Sequence, residues 1–311
     1  VVPRPSLDNV GPMSQIIARR SALGVIAGVA GAALGSCGCQ APPPSGSALA
    51  PFRGLGAWAS MYQWSPSVAG HPVVNPSGVA SLARRGVSTL YIQTSKQSGT
   101  ALLLDPTVLK KFVSECHRHS IAVVGWYLPA LNNLDLDVSR LVAMRDVGVD
   151  AIGVDIETTN YAPAERSRRQ LQVLERLRQR VGRGTGIGGV VYPPLQLKQF
   201  PSIWPNFPWA RVSALCDVLL PMSYWTFRRS RAPYWDNGFR YTEENFKMFS
   251  QLTGRNGNTI HSIGGMSSDL LAGQAADMAR AVAKYRGMGA SLYEWSGTSS
   301  RAWSELAPLA R

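Results

Sequence analysis

The chain has 311 residues, 45% of them hydrophobic and 16% charged, and a formal net charge of +13. That length supports one large domain with a full core, and the composition excludes a chain disordered throughout. The positive residues are scattered, with no basic run interleaved with aromatics, so they read as a solvated surface and nucleic acid is not an expected partner.

Residues 1–36 read as an export signal, with 1–12 upstream of a candidate start at Met13. Arg19 and Arg20 precede an apolar run, 22–34, that is too short and too rich in Gly and Ala for a membrane span. Paired arginines before such a run resemble a twin-arginine export signal. Leu34-Gly35-Ser36-Cys37 then resembles a bacterial lipobox. The resemblance implies cleavage before Cys37, a lipid on that cysteine, and a protein held at the outer face of a cell membrane or secreted. Residues 37–53, rich in Ala, Pro and Ser, read as this cysteine and an extended tether. With Cys37 lipidated, Cys39, Cys116 and Cys216 form no even disulfide framework, and the last two read as buried thiols. His117 and His119 are two apart on a helical pattern and diverge, so no metal is expected, nor any cofactor.

From residue 54 one unit recurs eight times. Short apolar runs at 54–62, 87–94, 122–128, 151–157, 186–192, 218–225, 259–264 and 291–295 are bounded by Gly, Pro or Asp, as expected of parallel strands buried on both faces. Helical patterns lie between them at 76–85, 106–119, 138–147, 163–181, 209–215, 242–252, 272–285 and 301–309. Asn75 and Asp105 read as caps before a proline at the first helical position. Eight strand-helix pairs over residues 54–311 predict an α/β fold, a single (β/α)8 TIM barrel. A doubly wound sheet is the alternative. Gly182-x-Gly184-x-Gly186 follows a helix and precedes a strand, the reverse of dinucleotide-binding order, so it reads as a helix stop.

Active sites of such barrels lie at the C-terminal ends of the strands. The expected strand ends carry Trp58, Ser60 and Tyr62; Trp126 and Tyr127; Asp155 and Glu157; Tyr192; Met222, Tyr224 and Trp225; and Tyr293, Glu294 and Trp295. Asp155 and Glu157 are two apart, so a strand points both to one face with Cα atoms roughly 7 Å apart. Two carboxylates closing an apolar strand suit general acid chemistry. Aromatic faces around them suit stacking on sugar rings. The expected partner is therefore a carbohydrate.

Three strand ends resemble the family-18 chitinases, whose fourth strand carries D-x-x-D-x-D-x-E. Asp150, Asp155 and Glu157 match that pattern, and Gly153 stands where its middle Asp would be. Met222-Ser223-Tyr224 matches the M-x-Y of the sixth strand, with Trp225 following in place of Asp or Asn. Trp295 fits the tryptophan that floors the sugar site. Asp155-Ile156-Glu157 with Tyr293-Glu294-Trp295-Ser296 is also similar to the family-25 lysozymes. Both resemblances imply polymers of N-acetylated hexosamines. The first implies Glu157 as general acid with a raised pKa, and Asp155 and Tyr224 as the residues holding the acetamido group that acts as nucleophile. Glu294 is an alternative second carboxylate, facing the helices if Tyr293 and Trp295 face inward. Gly153 and Trp225 leave a second reading open: a barrel that binds glycan without cutting it. A partner-binding lipoprotein that keeps the barrel for stability is a third.

Overall fold

A computed structural model describes residues 46–231 and 235–310, with side-chain surroundings left undescribed for 229–231. The expected export signal, Cys37 and the first part of the tether lie outside the described residues. Eight parallel strands close into a barrel in chain order. They are β1 Gly54–Ala59, β2 Val87–Gln93, β3 Ala122–Tyr127, β4 Ala151–Ile156, β5 Gly186–Val191, β6 Val218–Ser223, β7 His261–Met266 and β8 Gly289–Tyr293. Closure is made by β8 on β1, with Gly54 opposite Gly289 and Ala57 opposite Leu292. The doubly wound alternative is thereby excluded.

The principal helices after successive strands are α1 Val79–Arg84, α2 Pro106–Arg118, α3 Leu134–Ala143, α4 Pro163–Val181, α5 Trp209–Leu215, α6 Gly238–Thr253, α7 Gln274–Lys284 and α8 Ser300–Leu306. The longer helices bury an apolar stripe; in α2 it is Leu109, Phe112, Val113 and Cys116, at the spacing of one helical face. Asn75 does cap, accepting from the amide of Gly78. Asp105 does not: its carboxylate instead accepts from the amide and hydroxyl of Ser67 and from Ser65. α3 starts at Leu134, before the expected residue, because the Asn133 side chain accepts from the Leu136 amide.

Residues 46–53 correct the expected tether. They form a short helix, Gly46–Leu49, and a 3-10 turn, Ala50–Phe52, that plug the barrel's N-terminal end. Phe52 is fully buried, and a Cβ on Gly188 would lie 2.6 Å from its ring. Glycine at 188 is what lets that ring enter. Above the plug, Trp58 Nε1 donates to Ser291 Oγ at 2.7 Å. Ser291 Oγ lies 2.9 Å from His261 Nε2, and His261 Nδ1 lies 2.8 Å from the Phe52 carbonyl. The order that satisfies every atom is Nδ1–H donating to the carbonyl and Nε2 accepting from the serine. Burial holds the His261 pKa down at about 4, so this imidazole is neutral.

Side chains alternate inward and outward along each strand. Trp58 stacks on Tyr91 at 4.4 Å and meets Trp126 edge-on at 5.7 Å, which fixes the inward set on β1, β2 and β3. The matching set on β4 is Ala151, Gly153 and Asp155. The last two strands are displaced from their expected bounds: β7 runs later, His261–Met266, and β8 earlier, Gly289–Tyr293. Trp295 therefore falls beyond β8, in a 3-10 turn, Trp295–Gly297.

Candidate active site

Asp155 sits on the last inward position of β4 and Glu157 follows the strand end by one residue. Both are buried. Their surroundings are phenolic. Tyr192 at the end of β5, Tyr224 after β6 and Tyr293 closing β8 each feel the charge of both carboxylates. The Tyr224 and Tyr293 rings lie 6.4 Å apart, and Tyr293 lies 6.4 Å from Trp58 beneath. The Tyr192 hydroxyl donates to the Glu157 carbonyl at 3.3 Å. Burial raises the pKa of all three phenols, so they remain neutral donors at any ordinary pH.

Burial, and then the charge of Glu157, push the Asp155 carboxyl well above the ordinary carboxylate range; a hydrogen bond from the Ile156 amide opposes this weakly. Asp155 Oδ1 is buried without a hydrogen-bond partner. Glu294 joins the same cluster. Its amide donates to Ser267 Oγ at 3.0 Å, while its carbonyl accepts from Ser267 and Thr298. Burial raises the pKa of its carboxyl, and hydrogen bonds from the hydroxyl and amide of Ser60 and from Tyr293 oppose that. Glu294 Oε2 too is buried without a partner. The sequence turns Glu294 toward the helices only if Tyr293 and Trp295 both face inward; Trp295 lies beyond β8, and Glu294, anchored through its backbone to Ser267, meets the site.

The other expected residues divide into two groups. Trp126 points inward under the cluster and Met222 shares the inward face of β6 with Tyr224; Tyr62 stands at the same end of the barrel, on a short helix, 43% exposed. Trp58 also points inward, but it is covered by Tyr91 and its N–H is spent on Ser291, so it is a floor of the core and offers no open face. Three residues face away. Tyr127 turns into the helix layer, where its hydroxyl donates to Asp137 at 2.7 Å and accepts from Arg140 at 2.8 Å. Trp225 is fully buried behind β7, where Cβ atoms on Gly264 and Gly265 would lie 2.7 and 3.2 Å from its indole. Trp295 packs on Gly78 ahead of α1, 3.1 Å from where a Cβ would stand. The sugar-floor position expected of Trp295 is thus not at the end of β8; Tyr293 occupies that place. Its signal was in the sequence, since Ser291 and Tyr293 share the inward parity of β8. Ser60, named like Tyr293 at an expected strand end, is the other residue of this cluster that was given no role from the sequence.

No family model matches the chain, and no curated protein matches it in sequence. Solved structures match it in three dimensions. A chitinase from Bacteroides thetaiotaomicron superposes with a TM-score of 0.60 at 9% identity, covering 84% of this chain and 96% of that one. In fold, the chain is similar to chitinase barrels. A class V chitinase mutant from Cycas revoluta, in complex with (GlcNAc)3, gives 0.60 at 11% identity over 82% of this chain and 98% of that one. The Bacillus cereus spore cortex-lytic enzyme SleL gives 0.60 at 9% identity over 83% and 74%. At these identities the likeness establishes the barrel, and the chemistry rests on the residues themselves.

Proposed function

We propose that the protein is a glycoside hydrolase acting on a hexosamine-containing polymer of the cell envelope. The observation that carries this reading is the buried pair Asp155 and Glu157 at the C-terminal end of β4, walled by Tyr192, Tyr224 and Tyr293. The structural neighbours support it, since they include chitinases and a cortex-lytic enzyme. Glu157 is the general acid: it gives its proton to the glycosidic oxygen as the bond to the anomeric carbon breaks. Water completes the reaction, leaving its oxygen on the anomeric carbon and returning a proton to the carboxylates. Asp155 and Tyr224 hold the substituent on the neighbouring sugar carbon.

The test uses the full chain beside its Glu157→Gln variant. Both are incubated with chito-oligosaccharides and with purified peptidoglycan, and products are read by mass spectrometry. Cleavage by the wild type alone supports the reading, and the product masses identify the bond. Equal cleavage by the variant removes Glu157 from its role.

A second reading, a barrel that binds glycan without turnover, draws on Gly153. Trp126 occupies the space beside it, so the acid that the chitinase pattern places there has no room. Retention on a glycan column with no products from either protein would favour it.

Export and anchoring belong to the same proposal. Arg19-Arg20 and the following apolar run act as a twin-arginine signal, and Cys37 carries lipid. A Cys37→Ala variant is expected to leave the membrane fraction; its retention there would remove the anchor.

A further inference from the structure

We propose that the barrel docks on an anionic membrane surface through its N-terminal end, with exposed arginines around that rim meeting lipid phosphates and the carboxylate site facing away. This goes beyond the hydrolase reading and rests on one part of the export proposal, the lipid on Cys37.

Helices and strands run in opposite directions around the barrel, so each helix ends, and the next strand begins, at the N-terminal end. Arg84 ends α1, Arg145 lies in the turn before β4, Arg180 is in the last turn of α4, and Arg286 lies between α7 and β8; all are exposed. Preceding β2, β4, β5 and β8, they are spread around the rim. Among the described residues none of the four guanidinium groups has an ion-pair partner. The carbonyl ends of helices favour such cations, and that leaves their charge open to solvent. Most acids at this end are engaged: Glu115 by Arg118, Asp150 by His117 and the Val123 amide, and buried Asp217 by Arg178. Asp146 is exposed, and it does not offset the arginines. Beside Arg286 a cavity of about 640 Å³, lined also by Lys247, Arg255 and Asn256, has room for a phosphate group. Toward the opposite end the pattern reverses. Arg168 pairs with Glu165, Arg211 with Glu175 and Arg301 with Glu305.

The occupant follows from where the chain enters. The Ala48 carbonyl sits against Gly186, the first residue of β5, so the described chain begins at this same end. Cys37 precedes Gly46 by so few residues that the reach between them is at most about 30 Å. A lipid on Cys37 therefore holds the arginine rim, rather than the site, nearest the bilayer. Guanidinium groups meet phosphate with charge and paired N–H donors, and each basic residue close to an anionic bilayer adds to its hold. A glycan in the site occupies the other end, so substrate leaves the rim free.

The experiment uses the full chain carrying Cys37→Ala, so that no lipid contributes. Its probes are vesicles of phosphatidylcholine alone or with about 30 mol% phosphatidylglycerol. One variant adds Arg84→Gln, Arg145→Gln, Arg180→Gln and Arg286→Gln. A control adds Arg168→Gln, Lys198→Gln, Arg211→Gln and Arg301→Gln, removing the same charge toward the other end. Residues 1–36 are common to all three chains, so differences report the barrel. Co-sedimentation should show a preference for anionic vesicles, with the rim variant at least about ten-fold weaker and the control within about three-fold of the parent. Equal binding to both vesicles, no loss in the rim variant, or an equal loss in the control overturns the inference. If the rim variant melts at a clearly lower temperature, arginine labelling of the parent decides. Anionic vesicles should shield Arg84 and Arg286 from phenylglyoxal and leave Arg168 and Arg211 reactive; uniform or reversed shielding overturns the inference. The anchor is judged separately: membrane retention of the Cys37→Ala chain is read after a wash at about 1 M salt, which screens the rim. Retention through that wash would remove the lipid on Cys37 without touching the vesicle result. Failure on vesicles would remove the rim without touching the anchor.

Discussion

Trp126 stands where any side chain on Gly153 would have to go. A Cβ on residue 153 would lie 2.9 Å from Trp126 Cβ and 3.5 Å from its Cα. The two residues are paired across β3 and β4, and both belong to the inward face. The close approach comes from the Cβ and backbone of residue 126, so it is the spacing of β3 and β4 at this pair that asks for glycine at 153.

Restoring the acid of the chitinase pattern by Gly153→Asp should then fail. The new side chain must displace Trp126 and bury a carboxyl beside Asp155. Overpacking alone costs about 1–3 kcal/mol. Urea unfolding should show a lower midpoint, and glycan turnover should not rise. A variant as stable as the parent would mean that Trp126 moves freely.

Asp155→Asn should stabilise the protein at neutral pH while removing activity. The Asp155 carboxyl is raised by burial and then by Glu157, so the native state holds its proton at pH values where the unfolded chain has lost it. The stability it contributes is complete below its unfolded pKa, near 3.8, and is lost as pH rises toward the native value. Asparagine keeps the shape and removes that loss. A gain of about 1 kcal/mol is the size expected when a functional group kept at a cost to stability is neutralised. Melting temperature against pH checks it: the variant's advantage should grow from acid toward neutral pH.

The barrel was legible in the sequence because its strands are buried on both faces and read as apolar runs in a regular rhythm. Asp155, Glu157 and Tyr224 were legible because alternate residues on a strand share a face. Trp225 and Tyr127 misled for the same reason seen from the other side: each is adjacent to an inward residue and so points out, a distinction that turns on a one-residue register. Trp295 misled because β8 ends at Tyr293, a boundary set by pairing with Met266 across an irregularity in β7. Glu294 was ambiguous because it leaves the strand alternation, held by Ser267 on a neighbouring strand end. Contacts between distant segments decide such positions.

His261 should make the protein acid-sensitive in a defined window. Its native pKa is held down at about 4 by burial, against an ordinary value of 6.5. The stability it contributes is present above pH 6.5 and is lost as pH falls toward 4, because the unfolded chain takes up a proton that the native barrel refuses. The full span is worth about 3 kcal/mol. Asp155 acts with the opposite sign over part of the same range. Replacing His261 with Gln should flatten the acid limb of a stability-pH curve; an unchanged slope would place the acid sensitivity elsewhere.

Tyr224 and Trp225 are consecutive and face opposite sides, so their substitutions should separate function from stability. Tyr224 lies among the carboxylates, with its hydroxyl in the site. Tyr224→Phe removes one donor and little packing, so turnover should fall by at least about ten-fold while stability changes by about 1 kcal/mol or less. Trp225 fills the space behind Gly264 and Gly265, beneath the start of α6 at Gly238. Trp225→Ala opens a cavity there and should cost about 3–5 kcal/mol. Whatever fraction stays folded should bind sugar as the wild type does, since the buried indole packs on Gly238, Gly264 and Gly265. The decisive comparison is calorimetric binding per folded molecule, with the folded fraction taken from circular dichroism. Lost affinity in the folded Trp225→Ala protein would mean that the β6–β7 packing shapes the site after all. Lost stability in Tyr224→Phe would mean that the phenol is a core residue first.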